Sequence, residues 1–365
     1  MFVYEGNDSL KIQINFVSLQ TEYQKLCYMP FVNNILQYKS LSIVGLEKNT
    51  GKTVCLNYVL HRLHEMQVEV AVTSIGVDGE QTDSVYATAK PEITLYEGMH
   101  FITSEKHYHQ RQLVSQIEYV DEQRTSLGRL ITAQVVCAGK ALLSGAATTE
   151  KLRRQIQMFD SMGVDLTIVD GALSRLSLAS PTVTDAMILA TGAAVSPNIQ
   201  QLIAKTRFVY RLINIAEVDD VLKDKLSGID SGIWAIDNDN EVHDLHIASV
   251  FLLGRGDDDL FRYGNRLYVS GAVSDRLLKY LTAQKNIKDI VLIVRDFTKF
   301  FITQGVYAEY IRRGGQLRVL QQSRLMAICL NPTSPQGFLL NSKEACARLS
   351  EALETPVYDV KQIER

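Results

Sequence analysis

Residues 41–53, LSIVGLEKNTGKT, constrain this chain more than any other stretch of its sequence. An apolar run from Leu41 to Val44, broken only by Ser42, reaches Gly45 and passes into Asn49-Thr50-Gly51-Lys52-Thr53. A strand has to deliver such a loop, and successive backbone N–H groups then curl around phosphate oxygens. Gly51 permits that path, where a side chain would intrude. Lys52 is placed to set its ammonium against β- and γ-phosphates, and the Thr53 hydroxyl to ligate magnesium at the first turn of the next helix. Residues 52–66 put Cys55, Val59, Leu63 and Met66 on one helical stripe, so strand, loop and helix follow in the required order.

The spacing departs from the usual GxxxxGK[ST] P-loop. That pattern needs glycine at 46, but Leu46 stands there and the glycine is one place earlier, at Gly45. The loop is therefore one residue longer than standard. A chance GKT in an ordinary strand-to-helix turn is the competing explanation, and the flanking strand and helix patterns argue against it. The candidate phosphate-binding residues are Gly45, Lys48, Asn49, Thr50, Gly51, Lys52 and Thr53. Lys48 either touches phosphate or contacts a protein partner.

Other candidates lie where an α/β sheet places chemistry, at strand carboxyl ends. A second strand, Val68 to Ser74, ends in the loop Ile75 to Glu80. Asp78, with Glu80 and Asp83 behind it, is positioned there to sense a γ-phosphate through magnesium or water. Capping the following helix or solvating the loop would need the same residues. A helix over Thr148 to Phe159 leads through Gly163 into Val164-Asp165-Leu166-Thr167-Ile168-Val169-Asp170-Gly171. This strand would present Asp170 at its carboxyl end, opposite Thr53, to hold a magnesium-bound water; Asp-Gly is also ordinary turn chemistry. Near the end of the chain, Asn331-Pro332-Thr333-Ser334-Pro335 closes a buried-type strand. Asn331 reads either as a purine contact or as a turn residue.

Composition narrows the partners. The chain has 365 residues, 46% of them hydrophobic, enough for two domains or one large domain with an insertion. A formal net charge of −3 with interspersed signs leaves no basic face, which argues against nucleic acid as the main partner and for nucleotide and protein. Cysteines at 27, 55, 137, 329 and 346 are odd in number and never form CxxC, and so read as reduced thiols without structural zinc. The opening MFVYEGNDSLKIQ lacks a basic segment followed by an apolar one, and no apolar run approaches the about 20 residues that span a bilayer. A cytoplasmic, membrane-free protein is the expectation. His107-x-His109 and His243-x-x-His246 lack a Cys or Glu to complete a metal set and read as surface or packing residues. Asp237 to Asn240 and Asp257 to Asp259 lack the glycine and terminal glutamate of an EF-hand and read as solvated loops. No Asp-x-His-x-x-Gly cobalamin-binding signature occurs.

Further strands are expected at Ala186 to Ala190, Phe208 to Ile213, Ile233 to Ile236, Ser249 to Leu253, Leu267 to Val269, Ile290 to Val294 and Leu325 to Leu330. With helical patterns between many of them, the expected fold is α/β: a doubly wound, mostly parallel sheet of P-loop NTPase type with an inserted or second smaller α/β region. The expected division is an N-terminal extension over 1–40, a nucleotide-binding core over 41–195 plus 321–365, and the second region over 196–320.

The ordered motifs resemble those of the dethiobiotin synthetase-like P-loop proteins, whose phosphate loop also runs glycine, five residues, GKT, as Gly45 to Thr53 does. Asp170-Gly171-Ala172 is similar to that group's acidic-Gly-Ala turn, and Ile328-Cys329-Leu330-Asn331 to its strand ending in a base-recognising asparagine. A closer resemblance is to the reactivase subunit encoded beside adenosylcobalamin-dependent lysine 5,6-aminomutase and ornithine aminomutase in amino-acid-fermenting bacteria. It rests on GLEKNTGKT at 45–53, TSIGVDGE at 73–80, VDGALSR at 169–175, ASPTVTDA at 179–186 and NPTSPQG at 331–337. The resemblance implies ATP and Mg²⁺ as cofactors, with Lys52, Asp78 and Glu80 in catalysis and Thr53 and Asp170 on the metal. It also implies an aminomutase client and a second reactivase subunit, and is compatible with a homo-oligomer. Ser174-Arg175 departs from it, because an acidic residue is expected before the arginine. Two other functions fit the same loop: a dethiobiotin synthetase-like ATP-dependent ligase acting on a small carboxylate, and a nucleotide-bound scaffold with negligible turnover. The ligase needs a cation to hold its substrate, and residues 73–80 contain none.

Overall fold

The structure is a computed structural model that describes residues 30–75, 92–172, 180–250 and 260–363. The first described element is a short helix, α1 (Val32–Ile35), whose Val32 and Ile35 are buried together with Phe31. The Phe31 ring lies against Tyr58 and Tyr358, so this part of the expected N-terminal extension packs on the nucleotide-loop side; residues 1–29 lie outside the described residues. Next come β1 (Ser40–Gly45), α2 (Lys52–Glu65) and β2 (Val70–Ser74). Every residue of β1 is buried, which is why it reads as a continuous apolar run and not as an alternation.

After β2 the chain forms β3 (Ile93–Leu95), β4 (His100–Ser104), α3 (Glu105–His109) and a long hairpin of β5 (Gln112–Thr125) and β6 (Gly128–Ala141). Its turn is tight, with Gly128 at φ +92° and the Thr125 hydroxyl donating to the Gly128 carbonyl at 2.6 Å. Helix α4 (Thr149–Ser161) opens with the Thr148 side chain accepting from the Lys151 N–H, a conventional cap. It leads to β7 (Leu166–Ala172) and β8 (Ala186–Gly192).

One ten-stranded sheet collects these strands with two from the end of the chain, β16 (Arg324–Asn331) and β17 (Val357–Tyr358), in the order β17-β16-β8-β1-β7-β2-β4-β6. From β17 to β4 every pairing is parallel, while β6 runs antiparallel to β4, β3 and β5. The protein is thus mixed α/β with a large, mostly parallel sheet. β1 is central, between β7 and β8, and its last residue Gly45 is in register with Ala172 and Ala190.

Residues between β8 and β16 build a second sheet. Helices α5 (Ile199–Ile213) and α6 (Asp220–Ser227) precede β9 (Ile233–Ile236), β10 (Val242–Ile247) and β11 (Arg266–Val269). Then follow β12 (Val273–Ser274), α7 (Asp275–Thr282), β13 (Val291–Val294), β14 (Phe300–Phe301), α8 (Gln304–Arg312) and β15 (Gln316–Val319). The second sheet has five strands in the order β10-β9-β11-β13-β15, with β11, β13 and β15 parallel through the crossover helices α7 and α8. Helices α9 (Ser342–Leu353) and α10 (Val360–Ile363) flank β17.

The two sheets share one apolar cluster running from Val44 and Leu189 through Leu202 and Ile213 to Leu267, Leu292 and Val319. They are also joined by a polar contact from the 179–186 motif: Ser180 donates to the fully buried Asp296 at 2.8 Å, just beyond β13. Within the first sheet, Asp185 of the same motif accepts from the Ser40 N–H at 2.9 Å and from its hydroxyl at 2.9 Å.

One strand expectation is corrected, and another falls mostly outside the described residues. Phe208 to Ile213 is the end of helix α5, not a strand. Asn198 caps that helix by accepting from the Gln200 and Gln201 N–H groups, and Leu202, Thr206, Val209 and Ile213 are buried at helical spacing. A six-residue window, apolar but for Arg211, hides this period, because a short apolar run fits either structure. Ser249 and Val250 are not in a strand, and Phe251 to Leu253 lie outside the described residues.

Candidate functional site

The glycine loop hangs from the carboxyl end of β1. The one-residue shift of its first glycine has a local cause: the Leu46 N–H donates to the Ala190 carbonyl at 2.9 Å, and its side chain packs against the apolar cluster. Leu46 therefore continues the β1–β8 ladder, and the free loop begins after it. Gly45 is required by crowding, since a Cβ there would sit 2.4 Å from Thr50 Oγ1 and 2.8 Å from Lys52 Cγ. Gly51, at φ +88°, takes the left-handed backbone that opens α2, and a Cβ on it would lie 2.7 Å from Asn331 Cβ. Asn49 is also left-handed, at φ +62°, a region asparagine tolerates better than most residues. Thr50 is buried and donates to the Glu47 carbonyl at 2.9 Å, closing the loop on itself.

Lys52 and Thr53 occupy the first turn of α2, where backbone N–H groups lack helical partners and the helix dipole favours an anion. Lys52 Nζ donates to Asp170 Oδ1 at 3.3 Å, and both side chains are part-buried. Asp170 reaches this position because β7 lies between β1 and β2, in register with Ile43 on one side and Ser74 on the other. The Ser74 hydroxyl donates to the Asp170 carbonyl at 3.2 Å. Sequence reasoning set Asp170 opposite Thr53; the contact that forms is with the neighbouring lysine.

Asn331, at the end of β16, is the far wall of the loop. Its Nδ2 donates to the Asn49 carbonyl at 3.2 Å, and its Oδ1 accepts from the Thr333 N–H at 3.3 Å. It braces the phosphate loop, a role the isolated sequence does not reveal. Between the loop and the start of α10 is a small gap of about 10 Å³, lined among others by Gly51, Cys55, Cys329, Asn331 and Asp359. That is room for one water at most, so a purine entering there would displace side chains. Asp359 is already bonded, accepting from Ser342 Oγ at 2.5 Å and from the Lys361 N–H at 3.1 Å. Behind it, Cys55 Sγ donates to Cys329 Sγ at 3.3 Å. That hydrogen bond, with burial, holds the Cys329 thiol well above its ordinary range, so it is an uncharged wall.

The donor set fits a magnesium nucleotide. Asn49 Nδ2 is buried and has no hydrogen-bond partner, an expensive vacancy that a phosphate oxygen would fill. The two glycines leave the space that backbone donors need, Lys52 supplies the charge, and Thr53 and Asp170 offer the hard oxygens Mg²⁺ prefers. Lys48 stands exposed on the loop, where Glu47 pairs with Lys205 at 3.1 Å. Asp78, Glu80 and Asp83, with Ser174 and Arg175, lie outside the described residues.

The paired histidines do not converge. His107 is buried, with Nδ1 2.8 Å from Ser144 Oγ. His243 Nε2 lies 2.7 Å from Asp237 Oδ2, and its ring stacks on Tyr263 at 4.2 Å, whereas exposed His246 faces Asp244. The hydrogen bond from His243 is the main reason the Asp237 carboxyl is held below its ordinary range. Among the described residues no helix is long and apolar enough to cross a membrane.

No protein-family model and no curated protein sequence matches this chain. Among solved structures, pNOB8 ParA bound to nonspecific DNA matches over 53% of this chain and 62% of its own, at 10% sequence identity and a TM-score of 0.25. A superposition that loose carries no argument about ligand or partner, and the site is read from its own geometry.

Proposed function

We propose that this chain is a P-loop ATPase that reactivates an adenosylcobalamin-dependent aminomutase of the lysine 5,6-aminomutase type. The observation that carries the nucleotide half is the loop itself, a closed glycine cradle holding an orphaned Asn49 amide beside the Lys52–Asp170 pair. Thr53 and Asp170 would hold Mg²⁺, which when bound neutralises charge on the phosphates. Lys52 leaves Asp170 for the nucleotide and stabilises the charge that develops on the transferred phosphoryl group. Asn49 donates to the same anion, and Asn331 keeps the loop backbone in place.

The client half is supported by the five motifs that resemble those of the aminomutase reactivase subunits. One of them, at 179–186, joins the two sheets through the Ser180–Asp296 hydrogen bond; hydrolysis would switch the loop near Asp78 and so change affinity for the client. The client and a second reactivase subunit are proteins of the same compartment, the cytoplasm. The ligase alternative shares the loop but lacks, in the 73–80 segment, the cation its substrate needs.

The test is restoration of a cobalamin-inactivated aminomutase by the purified chain with its partner subunit and ATP. Recovery with the wild type and none with Lys52→Ala is expected. Recovery at the wild-type rate with Lys52→Ala would end the proposal.

A further inference from the structure

A second cleft lies away from the phosphate loop, between the C-terminal half of α5, helix α8 and the start of β15. Its volume is about 380 Å³, within the range of small-molecule sites, which begin near roughly 300 Å³. Ile311, Leu317 and the ring of Tyr307 form its apolar side, while Tyr210, Arg211 and Arg318 bring polar groups to it.

Its charge is one-sided. Helix α5 brings Arg211 to the cleft and carries no carboxylate, its Lys205 being paired with Glu47 elsewhere, and β15 brings Arg318 and carries none. The single acid of α8, Glu309, is taken by Arg312 of the same helix. Arg211 is exposed and makes no ion pair among the described residues, and Arg318 bonds only the Leu317 carbonyl, at 2.9 Å. An arginine in the last turn of α5 offsets that helix's dipole, but Arg318 is on a strand and has no such duty. Tyr307 is 9% exposed, and its hydroxyl has no hydrogen-bond partner among the described residues. Burial pushes its phenol upward despite the nearby Arg211, so it remains a proton donor at neutral pH.

We infer that this cleft binds a small organic anion, a carboxylate, sulfonate or phosphate ester with an apolar body. Arg211 and Arg318 take the charged group, the Tyr307 hydroxyl donates to it, and Ile311 and Leu317 cover the body. Arginine pairs suit such groups because their planar donors meet two oxygens at once. The site is independent of the nucleotide reading.

The probe is anilinonaphthalene sulfonate, an organic anion with an apolar body, titrated by fluorescence against the full chain with and without ADP. One probe per chain is expected, with affinity the same in both conditions. Arg211→Ala/Arg318→Ala should weaken it about tenfold or more, and Arg211→Lys/Arg318→Lys, which keeps the charge and loses the planar fork, should weaken it by less. The neutral analogue phenylnaphthylamine should bind weakly and equally to all three proteins. Unchanged affinity in the double alanine variant, or an equal loss for the neutral analogue, would overturn the inference. So would preference for polyglutamate over the probe, which would make the cleft a protein-docking surface. Should the double variant fail to fold by circular dichroism, the exposed single change Arg211→Glu decides in the same way.

Discussion

Two sheets in this molecule end in the same geometry and put it to different use. Both present parallel strands whose carboxyl ends gather beside helix starts, where open α/β sheets bind ligands. At the end of β1 the polar groups are left open: a glycine loop, an orphaned Asn49 amide and the first turn of α2. At the ends of β11 and β13 the equivalent groups are consumed. Ser270 donates to the Gly232 carbonyl at 3.1 Å, and Arg295 to the Ile229 carbonyl at 2.9 Å and to Asp230 at 2.8 Å. Asp296 accepts from Ser180, the Thr298 N–H and the Thr298 hydroxyl. Position in a fold marks where a site can be; unspent donors mark where one is.

That contrast predicts different failures at the two places. The largest effect belongs to Lys52→Ala, which should lower ATP turnover by about a thousandfold, read by phosphate release. The fold should survive, because the change removes an ion pair and not core volume. Gly51→Ala should come next. It forces a Cβ into Asn331 at a left-handed backbone position, costing about 1–3 kcal/mol and abolishing measurable nucleotide binding in a fluorescent-ADP titration. Asp296→Ala should show the opposite pattern. Loss of its buried bonds to Ser180 and Thr298 should cost about 2–4 kcal/mol in urea unfolding. Turnover per folded molecule should stay near wild type. If Asp296→Ala removed turnover and left stability intact, the contrast between the sheets would collapse. Asn331→Ala should be the mildest. Losing one brace on the loop weakens ATP binding by up to about tenfold. A simultaneous loss of discrimination between ATP and GTP would add base recognition to bracing; unchanged discrimination would leave bracing alone.

Much of the first sheet is legible in the sequence because its signals are local. The strand into Gly45, the helix with buried Cys55, Val59 and Leu63, and the capped helix after Thr148 each need only their own residues. The strands ending near Asp170 and Asn331 are apolar runs with an informative last residue. What escapes depends on partners far along the chain. Lys52 meets Asp170 only once β7 inserts between β1 and β2, and Asn331 meets Asn49 across 282 positions. The β5–β6 hairpin escapes for another reason. β5 is exposed or half-exposed on both faces, with Leu113 its one buried residue, and carries several register shifts, so no clean alternation survives in QLVSQIEYVDEQRT. The same limit applies at Phe208 to Ile213, where five apolar residues around Arg211, without their upstream half, carry no period.

The central claim is that the loop at 45–53 hydrolyses ATP in the service of a protein client. Phosphate release by the purified chain tests it most directly, measured alone and then with a cobalamin-inactivated aminomutase and the neighbouring subunit. The account predicts stimulation by the inactivated client that vanishes in Lys52→Ala. Turnover that ignores the client and responds only to a small carboxylate would contradict it.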